Sequence, residues 1–150
     1  MKTIVIIPAR YGSTRFPGKP LVDIQGKPMI QHVYENAKQA CPDVWVATDD
    51  ARIEQRVKSF GGNCVMTMTD CPTGTDRLAQ AIQAIPNGNE YDVVVNVQGD
   101  EPFLKPDQIL ALTSVFEKEP STDIATLVKK IMTPQDLFNP NKPKVAVAAD

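Results

Sequence analysis

Short apolar runs rich in β-branched residues recur along this chain, and the segments between them repeat their apolar residues at helical spacing. The runs fall at residues 3–7, 44–47, 64–67 and 92–97. Pro28 opens a helix to about Ala40, with Ile30, Val33, Tyr34 and Ala37 on one stripe. Asp49 or Asp50 caps a second, carrying Ile53, Val57 and Phe60 and stopped by Gly61-Gly62. Thr75 or Asp76 caps a third through Ile85, with Leu78, Ile82 and Ile85 inward and Pro86 as the stop. Pro106 opens a fourth over 107–119, ended by Pro120. The run 92–97 is the most β-branched, so it reads as a central parallel strand buried on both faces. Residues 124–128 are strand-like, 135–138 form a short helical turn, and 145–148 read as a further strand. Such alternation predicts an α/β fold, an open, mainly parallel sheet with helices on both faces. The chain stops at Asp150 just after that last strand begins, with no closing helix, and so reads as truncated at its C-terminus.

With 150 residues the expectation is a single domain. Hydrophobic content of 42% and charged content of 23% are those of an ordinary globular protein. A net charge of -2 excludes a general nucleic-acid binder, whose footprint is basic. Any anion site must therefore arise from local concentration of charge. Cys41, Cys64 and Cys71 are odd in number and form no C-x-x-C pair, and His32 is the sole histidine, so no zinc pattern exists. Neither a Ser/His/Asp nor a Cys/His nucleophilic set is available, and His32 lies beside the apolar stripe of its helix. The first apolar run is too short for a signal peptide or a membrane span. The expected compartment is the cytoplasm, with no membrane partner.

Polar segments gather where an open sheet of this kind binds ligands, beyond the carboxyl ends of its strands. After the first strand, Arg10, Arg15 and Lys19 bring three cations into ten residues together with Gly12 and Gly18. Glycine lets backbone approach a ligand, and fixed positive charge suits a polyphosphate. Neither the P-loop spacing nor the G-x-G-x-x-G fingerprint is present. The run Thr73-Gly74-Thr75-Asp76-Arg77 leads into a helix, where capping and anion contact coexist. After the run 92–97 comes Gln98-Gly99-Asp100-Glu101. Asp100 faces the cationic loop across the strand ends, placed to share a hard cation such as Mg²⁺ with phosphate oxygens; the alternative is a turn or cap role for both acids. Asp49-Asp50 reads as a cap rather than as a second metal site.

These motifs together carry a resemblance. The stretch from Ile7-Pro8-Ala9-Arg10-Tyr11-Gly12 through Ser13-Thr14-Arg15-Phe16 to Pro17-Gly18-Lys19-Pro20-Leu21 resembles the N-terminal signature of 3-deoxy-manno-octulosonate cytidylyltransferases, the CMP-Kdo synthetases. Gly26-Lys27-Pro28-Met29-Ile30 and His32-Val33-Tyr34-Glu35 continue it. Thr73-Gly74-Thr75-Asp76-Arg77 and Val95-Asn96-Val97-Gln98-Gly99-Asp100-Glu101-Pro102 follow in order, so the likeness runs from residue 3 to about 147. It implies a Rossmann-like nucleotidyltransferase fold, of which residues 1–150 are the N-terminal, nucleotide-binding part. It also implies a reaction: CTP and the sugar acid Kdo give CMP-Kdo and pyrophosphate, a step in lipopolysaccharide synthesis. By the same resemblance, Arg10 and Lys19 bind CTP phosphates with Arg15 at the β/γ end, and Asp100 is the first Mg²⁺ ligand. Lys19, Arg10 and Asp100 are then the catalytic set. Arg77 and Gln98 lie near cytosine and ribose, with backbone groups of Ala9 and Gly74. Family members are longer; their later half supplies most Kdo contacts, a second metal-binding aspartate and much of a homodimer interface. Rival expectations are a cytidylyltransferase for a related sugar acid, a sugar-1-phosphate nucleotidyltransferase, and a CTP-binding fragment without catalysis.

Overall fold

The computed structural model describes residues 1–12 and 16–147. Four strands form an all-parallel sheet: β1 (Thr3–Ala9), β4 (Val44–Thr48), β5 (Asn63–Met66) and β6 (Val93–Asn96), in the order β5-β4-β1-β6. β1 pairs with β4 from Val5↔Val44 to Ala9↔Thr48 and with β6 from Thr3↔Val93 to Ile6↔Asn96. Between β1 and β4 lie a small antiparallel hairpin, β2 (Asp23–Ile24) and β3 (Lys27–Pro28), and the helix α1 (Met29–Lys38). The remaining helices are α2 (Ala51–Ser59), α3 (Gly74–Ala84), α4 (Pro106–Lys118) and α5 (Pro134–Phe138).

Alternation along β1 divides the interior in two. Val5 and Ile7 face a layer built from Ile30, Val33 and Ala37 of α1, Ile53 and Val57 of α2, and Ile109 of α4. Ile4 and Ile6 face the other way, against Leu78 and Ala81 of α3 and against Ile85. Helices therefore cover both faces, as the sequence predicts, and burying each such side chain stabilises the fold by about 1.5–3 kcal/mol.

Local chemistry explains the element ends. Asp50 caps α2 by accepting from the Arg52 amide at 3.0 Å, and Gly61 at φ 79° follows its last turn. Thr73, rather than Thr75 or Asp76, caps α3. Its hydroxyl accepts from the Asp76 amide at 3.1 Å, while the Asp76 carboxylate accepts from the Thr73 amide at 3.0 Å. Pro28 ends β3 and stands as the N-cap of α1, which begins one residue later than expected. The hairpin before it escapes the sequence reading. Its two-residue turn places Gln25 at φ 53° and Gly26 at φ 85°, the geometry whose twist suits a tight hairpin. His32 Nε2 lies 2.8 Å from the Ile24 carbonyl and ties the hairpin to α1.

Three strand expectations are corrected. Among the described residues the run 92–97 is not a central strand: β6 lies at the edge of the four-stranded sheet, while β1 and β4 each have two parallel neighbours. Val93 and Val95 are buried but Val94 is 40% exposed, the alternation of a strand covered on one face. β-branched content reports strand propensity, not position in the sheet. Residues 124–128 form no strand; Ile124 is 88% exposed and pairs with no ladder. Residues 145–147 likewise carry no regular structure, and Ala148 lies outside the described residues.

Candidate functional site

The carboxyl ends of β1 and β6 and the residues entering α3 frame two adjoining cavities. One of ≈ 460 Å³ is lined by Ala9, Arg10, Phe16, Lys19, Gln98 and Asp100 among others. The second, ≈ 150 Å³, shares Ala9, Arg10 and Gln98 and adds Cys71, Thr73, Gly74 and Arg77. The residues singled out from sequence thus meet in one place, drawn from three separated segments. Arg15 alone lies outside the described residues.

Two glycines set this geometry. A Cβ on Gly99 would stand 3.0 Å from the Pro8 carbonyl oxygen, so glycine lets the β6 exit press against the β1 exit. Gly18 sits at φ 73°, donates to the Tyr11 carbonyl at 2.9 Å, and would place a Cβ 3.0 Å from the Tyr11 ring. That contact pins the two ends of the cationic loop together. Arg52 covers the same ring, its guanidinium carbon 3.3 Å from the centroid, while also donating to Asp50 at 2.9 and 2.6 Å. The Arg52 hydrogen bonds hold the Asp50 carboxyl below its ordinary value against a smaller opposing effect of burial. Tyr11, Gly18 and Arg52 are not picked out for this role by sequence reasoning. The motif contains the first two, but nothing local signals a partner on α2.

Lys19 opens a short 3₁₀ turn directly after Gly18, and its ammonium donates to Asp100 Oδ2 at 2.7 Å. The cationic loop and the acid after β6 therefore touch, with side chains 39% and 51% exposed. Arg10 is exposed and lines both cavities. Gln98 Nε2 donates to Asn96 Oδ1 at 3.0 Å. Arg77 behaves differently. It is only 3% exposed, donating to Asp49 Oδ2 at 2.8 Å, to the Thr67 hydroxyl, and to the Met68 carbonyl at 3.4 Å. Its guanidinium ties the first turn of α3 to the exits of β4 and β5. Asp49 thus serves this buried pair, while Asp50 is the cap.

The arrangement offers converging positive charge, glycine-permitted close approach and one carboxylate at the mouth, which suits an anionic phosphate chain with a cation. Among the described residues no cluster of three or more His, Cys, Asp or Glu could hold a metal ion. Asp100 alone fits a hard divalent cation only in the manner of Mg²⁺, which takes one or two carboxylates and completes its shell with water and substrate phosphates. A larger groove of ≈ 620 Å³ runs along the outer side of β6 past Val94, Phe116 and Ile124. It is mainly apolar and lacks the convergent cations.

Fold and site together define an α/β protein with the nucleotidyltransferase-like fold. Residues 4–150 match the cytidylyltransferase family, and the chain belongs to it. The 3-deoxy-manno-octulosonate cytidylyltransferase of Parabacteroides distasonis is 56% identical over 98% of this chain and 59% of its own length. The Escherichia coli protein of that name is 47% identical over 97% of this chain and 58% of its own. The 8-amino-3,8-dideoxy-manno-octulosonate cytidylyltransferase of a Shewanella strain is 48% identical, over 97% of this chain and 60% of its own. The solved structure of a CMP:2-keto-3-deoxy-manno-octonic acid synthetase complexed with CTP superposes with a TM-score of 0.75 at 50% identity. That superposition covers 81% of this chain and 49% of the solved one. The chain spans about three fifths of the length of these curated relatives, 58–60%.

Proposed function

We propose that the strand-end cleft binds CTP with Mg²⁺, and that the chain forms the nucleotide-binding part of an enzyme transferring CMP to 3-deoxy-manno-octulosonate with release of pyrophosphate. The observation that carries the reading is the meeting of Lys19, Arg10 and Asp100 in one cleft, in a chain about half identical to proteins named for that reaction. Arg10 and Lys19, with Arg15, offset the charge of the triphosphate. They aid departure of pyrophosphate because positive charge held there stabilises the negative charge that builds on the leaving group. Backbone groups of Ala9 and Gly74, with Gln98, take the cytidine side, and Arg77 holds the α3 entrance that Gly74 belongs to. The sugar hydroxyl attacks the α-phosphorus in line, its proton passing to solvent as the α–β phosphoanhydride bond breaks and pyrophosphate leaves, so no covalent enzyme intermediate and no histidine are needed. Asp100 would hold Mg²⁺, whose bound charge polarises the phosphoryl oxygens.

The activity would serve lipopolysaccharide synthesis in the cytoplasm, with the full-length enzyme a homodimer and neither nucleic acid nor membrane as partner. No helix among the described residues is long and apolar enough to cross a membrane. A second reading, transfer to the 8-amino analogue of the sugar, is favoured by the relative of that name at 48% identity. Pyrophosphate release with CTP, Mg²⁺ and each sugar acid separates the two. Calorimetric titration with all four nucleoside triphosphates tests the binding reading alone: CTP is expected to bind most tightly, and preference for ATP or GTP would overturn it.

A further inference from the structure

We propose that Lys19 and Asp100 act as a mutual latch, which makes triphosphate and divalent cation bind this cleft cooperatively and each poorly alone. The inference rests on the nucleotide reading above and concerns how that site is regulated. The two groups meant for opposite ligands are bonded to each other at 2.7 Å, and among the described residues neither has another ion-pair partner. The loop geometry favours the pairing, because Gly18 sets the start of the Lys19 turn and Gly99 presses the Asp100 loop onto the β1 exit.

Each ligand arriving alone meets a penalty. A triphosphate that takes Lys19 strips Asp100 of its partner and leaves a bare carboxylate beside phosphate. A cation that takes Asp100 displaces an ammonium and, among the described residues, finds no cluster of three or more carboxylate, imidazole or thiol groups to hold it. When both arrive, Lys19 turns to phosphate, Asp100 turns to the cation, and no charge is left unpaired. Coupling of this kind is reciprocal, so each ligand tightens the other by the same factor. Half-exposed pairs are modest in strength, so the latch itself is expected to weaken metal-free binding by about two- to fivefold.

A double-mutant cycle in calorimetry reads it directly. CTP is titrated into the whole chain, in EDTA and in saturating Mg²⁺, for the parent, Asp100→Asn, Lys19→Ala and the double variant, with circular dichroism confirming the fold of each. In EDTA, Asp100→Asn is expected to tighten CTP binding, and that gain to be about two- to fivefold smaller once Lys19 is alanine. Equal gains in both backgrounds, or no gain at all, would mean that Asp100 acts as a bare charge or not at all, and would overturn the latch while the nucleotide reading stands. Failure of the parent to bind CTP even in Mg²⁺ would overturn both. If Lys19→Ala loses its fold, Lys19→Met, which keeps the aliphatic stem, closes the same cycle.

Discussion

Lys19 and Arg77 are both cations of the candidate site, and the fold puts them to opposite uses. Lys19 is half exposed at the cleft mouth, so Lys19→Ala is expected to weaken CTP binding in Mg²⁺ by about ten- to a hundredfold. Stability without ligand should shift by no more than about 0.5 kcal/mol, read by denaturant titration. Arg77 is buried against Asp49, so Arg77→Met strands a carboxylate that is itself mostly covered. It should destabilise the fold by about 3–5 kcal/mol, and Arg77→Met combined with Asp49→Leu should recover part of that loss in the same titration. The sequence announces the charge of both residues but the burial of neither. Arg77 and Asp49 stand 28 positions apart, and only the closing of α3 onto the β4 and β5 exits brings them together.

At the level of elements, caps and stops are largely legible because their causes are local. Gly61 and the Pro106 entrance to α4 act where the sequence places them, and of the two candidates Asp49 and Asp50 the second caps α2. The β2–β3 hairpin is not legible, because Gln-Gly is a weaker turn signal than Asn-Gly and its strands are two residues each. Its Gly26 has open space where a Cβ would stand yet sits at φ 85°, so Gly26→Ala should cost about 1–2 kcal/mol from backbone conformation alone, measured by thermal melting. α2 carries a pH dependence of definite sign. The Asp50 carboxyl is held below its unfolded value chiefly by Arg52, so its contribution is complete above that unfolded value and fades as pH falls through the folded one. Asp50→Asn keeps a cap but loses the ion pair, and the acid limb of a stability-against-pH curve should flatten below about pH 4.

For the whole molecule, the two-faced sheet is legible from the alternation of patterns, but the strand order is not. Propensity in Val93–Asn96 cannot say how many neighbours the strand will have; that is decided by long-range pairing with β1. The gathering of the site is legible because strand exits of a parallel sheet lie on one side, whichever order the strands take. Stability should be graded accordingly. Native-state hydrogen exchange is expected to be slowest in β1, flanked by partners and covered on both faces, and fastest beyond α4, where α5 is the single regular element among the described residues. Equal protection across the sheet and the residues after α4 would contradict that grading.

β1 carries large aliphatic side chains toward both layers, Val5 and Ile7 to one and Ile4 and Ile6 to the other, so its hydrophobicity cannot tell one alignment from the next. The information that fixes its frame must sit at its tips. At the start, the Lys2 amide donates to the Asp92 carboxylate at 2.7 Å and the Lys2 carbonyl accepts from the Asp92 amide at 2.8 Å. Near the end, Pro8 brings no amide hydrogen to the ladder. A one-residue slip would leave the oily interior nearly content and carry every charge of the loop that follows by about 3.3 Å. The two ends, more than the greasy middle, are the ruler by which this fold measures out where its cations stand.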